Sequence, residues 1–213
     1  MLGACNKLHV MSIDLLIGLI GFALVSSLSP GPNNLMLLSS GMNFGWRKSV
    51  PHILGIAIGF PVMIFGVGMG ITQIFEAYPT SLMVMKVLSA AYLLYLAYKI
   101  ASTQPVTLDS DQRNTQPLTF IQAAAFQWVN PKAWTMALTA ISAYTVANNM
   151  FLSVLIVILV FLSAGMLSTN MWTIIGLKLR IFFTRPNAYR AFNIGCALIL
   201  VATLYPVLSD TFV

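Results

Sequence analysis

Apolar residues run almost unbroken through this chain, over about 13–45, 48–72, 82–100, 118–147, 150–176 and 188–208. None of these runs shows the alternation over about ten residues that a membrane strand needs, with polar positions facing a lumen. Each approaches or exceeds the roughly 20 residues with which a helix crosses a bilayer. The pattern predicts an all-α membrane protein with six transmembrane helices. A tail over 1–12 precedes a helical domain over 13–213. The one connection of soluble composition runs from Ser102 to Pro117, with Asp109, Asp111, Arg113 and three Gln, within a linker over 101–117.

Two runs are too long for one straight span, and both are interrupted. The first carries Ser29-Pro30-Gly31-Pro32-Asn33-Asn34 near its middle, and the fourth carries Asn130-Pro131-Lys132. Proline removes a backbone donor and clashes with the preceding turn, so each helix is expected to break there. The breaks lie about 100 residues apart, and a shift of 100 carries the second and third runs onto the fifth and roughly the sixth. Three helices followed by three equivalent ones have opposite orientations, because three is odd. The expectation is a 3+3 inverted-topology repeat, with halves 13–100 and 118–208 and broken first and fourth helices. Paired broken helices of this kind point to a transporter's binding site.

Composition agrees. Only 8% of residues are charged and 58% are hydrophobic, against about a quarter charged in soluble domains. A soluble enzyme, a disordered tail and a disulfide scaffold are excluded. The formal charge of +6 sits in small clusters between apolar runs, which orient a membrane protein rather than bind nucleic acid. Arg47, Lys48, Lys99, Arg113, Lys178, Arg180, Arg185 and Arg190 flank alternate connections, whereas the loops near Glu76–Pro79 and Ala147–Asn149 and the C-terminal tail carry no Lys or Arg. Lys7 is the one opposing charge. The positive-inside rule therefore places both termini outside and the basic loops in the cytoplasm. The first ten residues read as a short tail or as an extension before a start at Met11, not as a cleavable signal. Cys5 and Cys196 suggest neither a metal site nor a disulfide.

The breaks carry the candidate chemistry. Unwound backbone at membrane depth is tolerated only where protein or water covers it. Free N–H groups at Asn33 and Asn34, with the positive end of the helix dipole, favour a carboxylate. The restart at Pro131 and Lys132 adds a full charge. The carbonyl ends near Ser26–Ser29 and Phe126–Val129 offer a complementary place for an ammonium group or a proton-carrying water. The pair suits a zwitterion, although proline kinks that merely shape the bundle are the plainer alternative. Lys132 within a helix costs roughly 2.5–3.5 kcal/mol on insertion scales. It needs water, carbonyls, a counter-charge or substrate, and a structural role stands beside substrate contact. Asp14 is the only acid near a span.

Other features are weaker. Gly55, Gly59, Gly66 and Gly70 repeat at 4, 7 and 4, which places them on one stripe of the second helix as a packing surface. The stripe leaves a homodimer open. Tyr92 and Tyr95 are candidates to present hydroxyls to a cavity, and Gln127 shares a face with Asn130. Lys86 is placed to snorkel. Ser168-Thr169-Asn170 forms a polar patch in the fifth run, where an interhelical bond to Asn170 is expected. His52, near Ser49, reads as a solvated interfacial residue.

The segments SPGPNNLMLLSSGMNFGWRKSVPHILGIAIGF (29–60), KVLSAAYLLYLAYKI (86–100) and QWVNPKAW (127–134) resemble the LysE/RhtB family of amino-acid exporters. The resemblance extends over the chain from about Met11. It is strongest to the cysteine and O-acetylserine exporter branch, judged by the double Asn after PGP and the region Leu138–Tyr144. It implies a bacterial inner-membrane exporter of amino acids or their derivatives, driven by proton exchange. It also implies Pro30, Gly31, Pro32, Asn33, Asn34, Asn130, Pro131 and Lys132 as motif positions.

Taken together, the candidate substrate contacts are Ser29, Pro30, Gly31, Pro32, Asn33, Asn34, Gln127, Asn130, Pro131, Lys132, Tyr92 and Tyr95. No acid falls within a span between Asp14 and Asp210, which favours a small neutral amino acid over lysine or arginine. An intramembrane protease needs a Ser/His dyad, paired Asp or HExxH, and none occurs. An oligomeric channel is the competing reading. No catalytic residue, cofactor or metal is expected; the partners are the substrate and the lipid bilayer.

Overall fold

The computed structural model describes residues 11–78, 80–103, 116–183 and 186–205. Cys5, Lys7, His9, Pro79, Asp109, Asp111, Arg113, Arg185 and Asp210 lie outside the described residues, as do the tail before Met11, most of the polar linker and the end of the sixth run. Within them the fold is all-α: α1 (Ile13–Leu28), α2 (Pro32–Gly68), α3 (Thr72–Ala77), α4 (Thr80–Ala101), α5 (Phe120–Gln127), α6 (Pro131–Tyr144), α7 (Met150–Leu179) and α8 (Pro186–Ala202), with a 3-10 turn at Ala147–Asn149. Three stretches are long and apolar enough to cross a membrane, Pro32–Gly68, Met83–Ala101 and Ala147–Leu179, and α1 and α8 supply shorter apolar helices.

Both expected breaks are present. α1 ends at Leu28 and α2 restarts at Pro32, while α5 ends at Gln127 and α6 restarts at Pro131. Proline stands at the first helical position of each restart, where its missing N–H is harmless and its fixed φ suits the helix. Local caps set the starts of α1 and α5. Ser12 accepts from Leu15 N at 3.2 Å, and Thr119 forms a reciprocal capping box with Gln122.

The 37 residues of α2 would span about 55 Å as one straight rod. They do not form one. Gly45 takes φ 78° and ψ 171°, a left-handed corner that glycine enters without steric penalty. The chain folds back on itself there. Ser40 Oγ lies 2.7 Å from Ser49 Oγ, Met36 and His52 share one cavity wall, and Asn33 and Ile56 share another. An inner limb before Gly45 thus runs antiparallel to an outer limb after it, so the expected loop between the first two runs shrinks to one residue.

α2 packs most extensively on α7. At the crossing, a Cβ on Gly41 would stand 2.0 Å from the Thr173 carbonyl oxygen, and one on Gly176 would stand 2.0 Å from the Leu38 carbonyl oxygen. Bare backbone therefore meets bare backbone, a close approach typical of membrane helices. The expected glycine stripe is real over Gly55 and Gly59, which lie against Phe120, Ala123 and Ala124 of α5, and over Gly66, which faces Trp128. This face is consumed inside the chain. Gly70 departs from the expectation: α2 ends at Gly68, and Gly70 takes φ 92° in the turn beyond.

Buried polar groups tie the remaining helices together. Asn43 accepts from Tyr189 and donates to Asn193 Oδ1 at 3.2 Å, while Asn193 donates to the Thr103 carbonyl at 3.2 Å. Trp46 Nε1 donates to Asn170 Oδ1 at 2.8 Å, the interhelical bond expected for Asn170.

Candidate functional site

The two breaks meet. Lys132, in the first turn of α6, sends its ammonium across to the end of α1. Its Nζ lies 2.8 Å from Ser29 O, 2.8 Å from Ser29 Oγ and 3.3 Å from Pro30 O. Three acceptors match the three protons of an ammonium group. In the reciprocal direction, Asn33 in the first turn of α2 reaches Gln127, the last residue of α5. Asn33 Nδ2 donates to Gln127 Oε1 at 2.9 Å, and Gln127 Nε2 donates to Asn33 Oδ1 at 3.2 Å. Each restart thus holds the other break's ending.

The close of α1 is thoroughly capped. Asn34 Nδ2 donates to Ser27 O and Ser29 O, both at 2.8 Å. Ser168 Oγ donates to Ser27 O at 2.7 Å, and Trp172 Nε1 to Leu28 O at 3.2 Å. These contacts, with Lys132, satisfy carbonyls that hydrocarbon cannot. The ammonium expected at this carbonyl end is therefore supplied by the protein itself.

The restart of α2 is different. Its N-cap is Gly31, with no side-chain cap, so the backbone N–H groups of Asn33 and Asn34 keep their donor capacity at the positive end of the helix. Gly31 is extended, at φ −178° and ψ 177°, a conformation open to any residue. Space explains the glycine: a Cβ there would stand 2.8 Å from Lys132 Cδ and 3.0 Å from Nζ. At α6 the cap is Asn130, whose Oδ1 accepts from Lys132 N at 3.2 Å. The amide nitrogen of Asn130 has no protein partner among the described residues.

Between these groups lies a cavity of about 50 Å³, space for on the order of four waters. Of the candidate contacts, Gly31, Asn33, Asn34, Gln127, Asn130 and Lys132 line it. Ser29, Pro30, Pro32 and Pro131 build the breaks without lining it. Ile56, Ala57, Phe60 and Pro61 from the outer limb, with Met136 and Phe161, form its apolar side. Ser26, Ser27, Ser168 and Thr169 add hydroxyls that were not singled out as contacts; the polar patch in the fifth run was their signal.

Two expectations fail. Tyr92 and Tyr95 do not line this cavity. Tyr92 packs on Phe126 with ring centroids 5.5 Å apart, and Tyr95 faces outward, 51% exposed. Tyr92 thus packs into the core beside α5 rather than into the cavity. His52 is not solvated: it is 1% exposed, because the fold-back at Gly45 buries it between the limbs. Ser49 bonds to Ser40 and to the Gly45 carbonyl instead.

The model of the LysE type translocator family matches residues 24–204, which contain both breaks and the whole cavity. The chain belongs to the LysE-type translocators. It is 30% identical over 184 residues to the cysteine/O-acetylserine efflux proteins of Escherichia coli (strain K12) and of Shigella flexneri serotype 5b, covering 84% of this chain and 90% of each relative. The same figures hold for the cysteine/O-acetylserine efflux protein of Escherichia coli O1:K1 / APEC. No solved structure matches the chain. Membership of this family makes the chain a multi-pass transporter of the bacterial inner membrane and sets aside the enzyme reading.

Proposed function

We propose that the chain exports small neutral amino acids or their derivatives, of the cysteine, O-acetylserine, homoserine or threonine kind, by proton antiport. The observation that carries this reading is the crossed pair of bonds at the breaks, Lys132 to Ser29 and Asn33 to Gln127. Position 33 and position 132 stand 99 residues apart, each second in its restarted helix. Such reciprocity supports an inverted repeat of halves 13–100 and 118–208 around one shared site, with six spans, a cytoplasmic linker over 101–117 and both termini outside. The fold-back at Gly45 supports the count, since it turns one long helix into the end of the first span and the whole of the second.

A zwitterion entering the cavity meets complementary ends. Its carboxylate is drawn to the N–H groups of Asn33 and Asn34 and to Lys132. As Lys132 turns toward it, the oxygens of Ser29 and Pro30 are released for the substrate's ammonium. Lys132 is the titratable group lining this cavity, and so the place where a counter-proton is held. A short neutral side chain lies against Phe60 and Phe161. A lysine substrate brings a second positive charge that no carboxylate in the cavity balances.

The test is initial efflux from proteoliposomes loaded with labelled cysteine, threonine, homoserine and lysine under an imposed pH gradient. Saturable efflux of the first three that collapses with an uncoupler is expected, with lysine retained. Efflux of lysine alone would overturn the substrate assignment, and ohmic single-channel conductance would favour an oligomeric pore.

A further inference from the structure

His52 has no part in the central cavity, yet it is the least accommodated polar residue among the described residues. Neither Nδ1 nor Nε2 has a hydrogen-bond partner among the described residues, and the residue is 1% exposed. Each such orphan has lost its water without gaining a partner, and native chains seldom keep one without something to pair it.

The ring lines a second cavity, of about 40 Å³. Ser39 and Ser40 of the inner limb, Lys99 and Thr103 at the end of α4, and Gln116 supply its other polar walls. The hydroxyls are already engaged. Ser40 pairs with Ser49 at 2.7 Å, Ser39 Oγ accepts from Asn43 at 2.9 Å, and Thr103 donates to the Lys99 carbonyl at 2.8 Å. The imidazole, the Lys99 ammonium and the Gln116 amide are left with capacity to spare, and of these Lys99 carries the charge. A neutral imidazole carries one N–H donor in either tautomer, and an ammonium carries three.

The two cavities are stacked. Met36 lies three residues beyond Asn33 and His52 four before Ile56, so both limbs place the second cavity about one helical turn, roughly 5 Å, from the first. Ile53 and Ile56 lie packed with Met36 in the core between them. The second cavity sits toward Gly45, Arg47 and Lys99, on the basic and hence cytoplasmic side.

We propose that this second cavity is a carboxylate-binding site on the cytoplasmic approach to the central one, in which Lys99 and the His52 imidazole hold the carboxylate of an amino acid before it moves between the limbs. The inference deepens the exporter reading and rests on it. Lys99 is the charged group on the cavity wall among the described residues, so the site favours an anion. Water alone would pair the ring nitrogens but would not balance that charge.

The test reads the ring directly and does not require transport. The chain has two histidines, so His9→Gln leaves His52 as the single signal in full-length protein labelled with ¹⁵N-histidine. Cysteine and acetate are each expected to shift that signal saturably, whereas cysteine methyl ester, which lacks the carboxylate, is not. Lys99→Gln weakens the cysteine response about tenfold, and Lys178→Gln, an exposed lysine away from the cavity, leaves it unchanged. Absence of any shift with cysteine or acetate overturns the site, as does an equal shift with the methyl ester. In oriented vesicles, Lys99→Gln raises the KM for cysteine offered on the cytoplasmic side about tenfold while KM on the opposite side stays within twofold. A parallel change on both sides overturns the placement. Failure of the unmodified protein to transport any amino acid, with the ring shift intact, would remove the exporter reading and leave the carboxylate site standing.

Discussion

Lys132 and Ser29 lie 103 positions apart in sequence and within 2.8 Å in space, through both the carbonyl and the hydroxyl oxygen of the serine. The contact makes a costly membrane lysine part of the scaffold as well as part of the cavity wall. Lys132→Met leaves acceptors at the end of α1 short of a donor, at about 1–3 kcal/mol. The expected result is a Tm in detergent lower by roughly 3–10 °C, with cysteine efflux reduced at least tenfold. An unchanged melting temperature would mean that the ammonium spends its time elsewhere.

Asn33 and Gln127 exchange two amide hydrogen bonds, at 2.9 and 3.2 Å. A double-mutant cycle on unfolding, with Asn33→Ala, Gln127→Ala and the double variant, is expected to return a coupling energy of about 1 kcal/mol. Strict additivity would show that the two restarted segments are held together by their surroundings rather than by this pair.

At the crossing of α2 and α7 no room exists for a methyl group. Gly41→Ala and Gly176→Ala each drive a Cβ to 2.0 Å from a backbone oxygen, and backbone cannot swing aside as a flexible side chain can. Each is expected to cost more than about 3 kcal/mol, seen as loss of the monodisperse peak in size-exclusion chromatography. Gly195→Ala in α8 meets nothing within 4 Å and is expected to gain up to about 1 kcal/mol in helix propensity. Equal behaviour of the three variants would contradict the crossing.

The fold was legible in sequence wherever a local rule decided it. Pro32, beside Pro30 and Gly31, and Pro131, after the capping Asn130, announce their breaks because proline suits the first position of a helix, whereas Pro51 and Pro61 sit within α2; the long apolar runs announce their helices. Gln127 and Asn130 were found by their place beside a break. What the sequence hid were relationships between distant positions. Gly41 and Gly176 lie in separate runs, each among other glycines, and nothing local marks them as partners. The corner at Gly45 is one residue without a turn motif, so the burial of His52 that follows from it was invisible. Tyr92 and Tyr95 were drawn in by a spacing that says they share a face but not which way it points. The role of Lys132 was left open because Ser29, its partner, belongs to the other break.

Gly41 meets Thr173 where Gly176 meets Leu38. Backbone meets backbone there, so the two helices can neither approach further nor slide past without collision. The crossing is the point of nearest approach of the two helices, roughly 10 Å along the inner limb from Asn33. On the exporter reading proposed above, tilting about that point is the motion that alternating access requires.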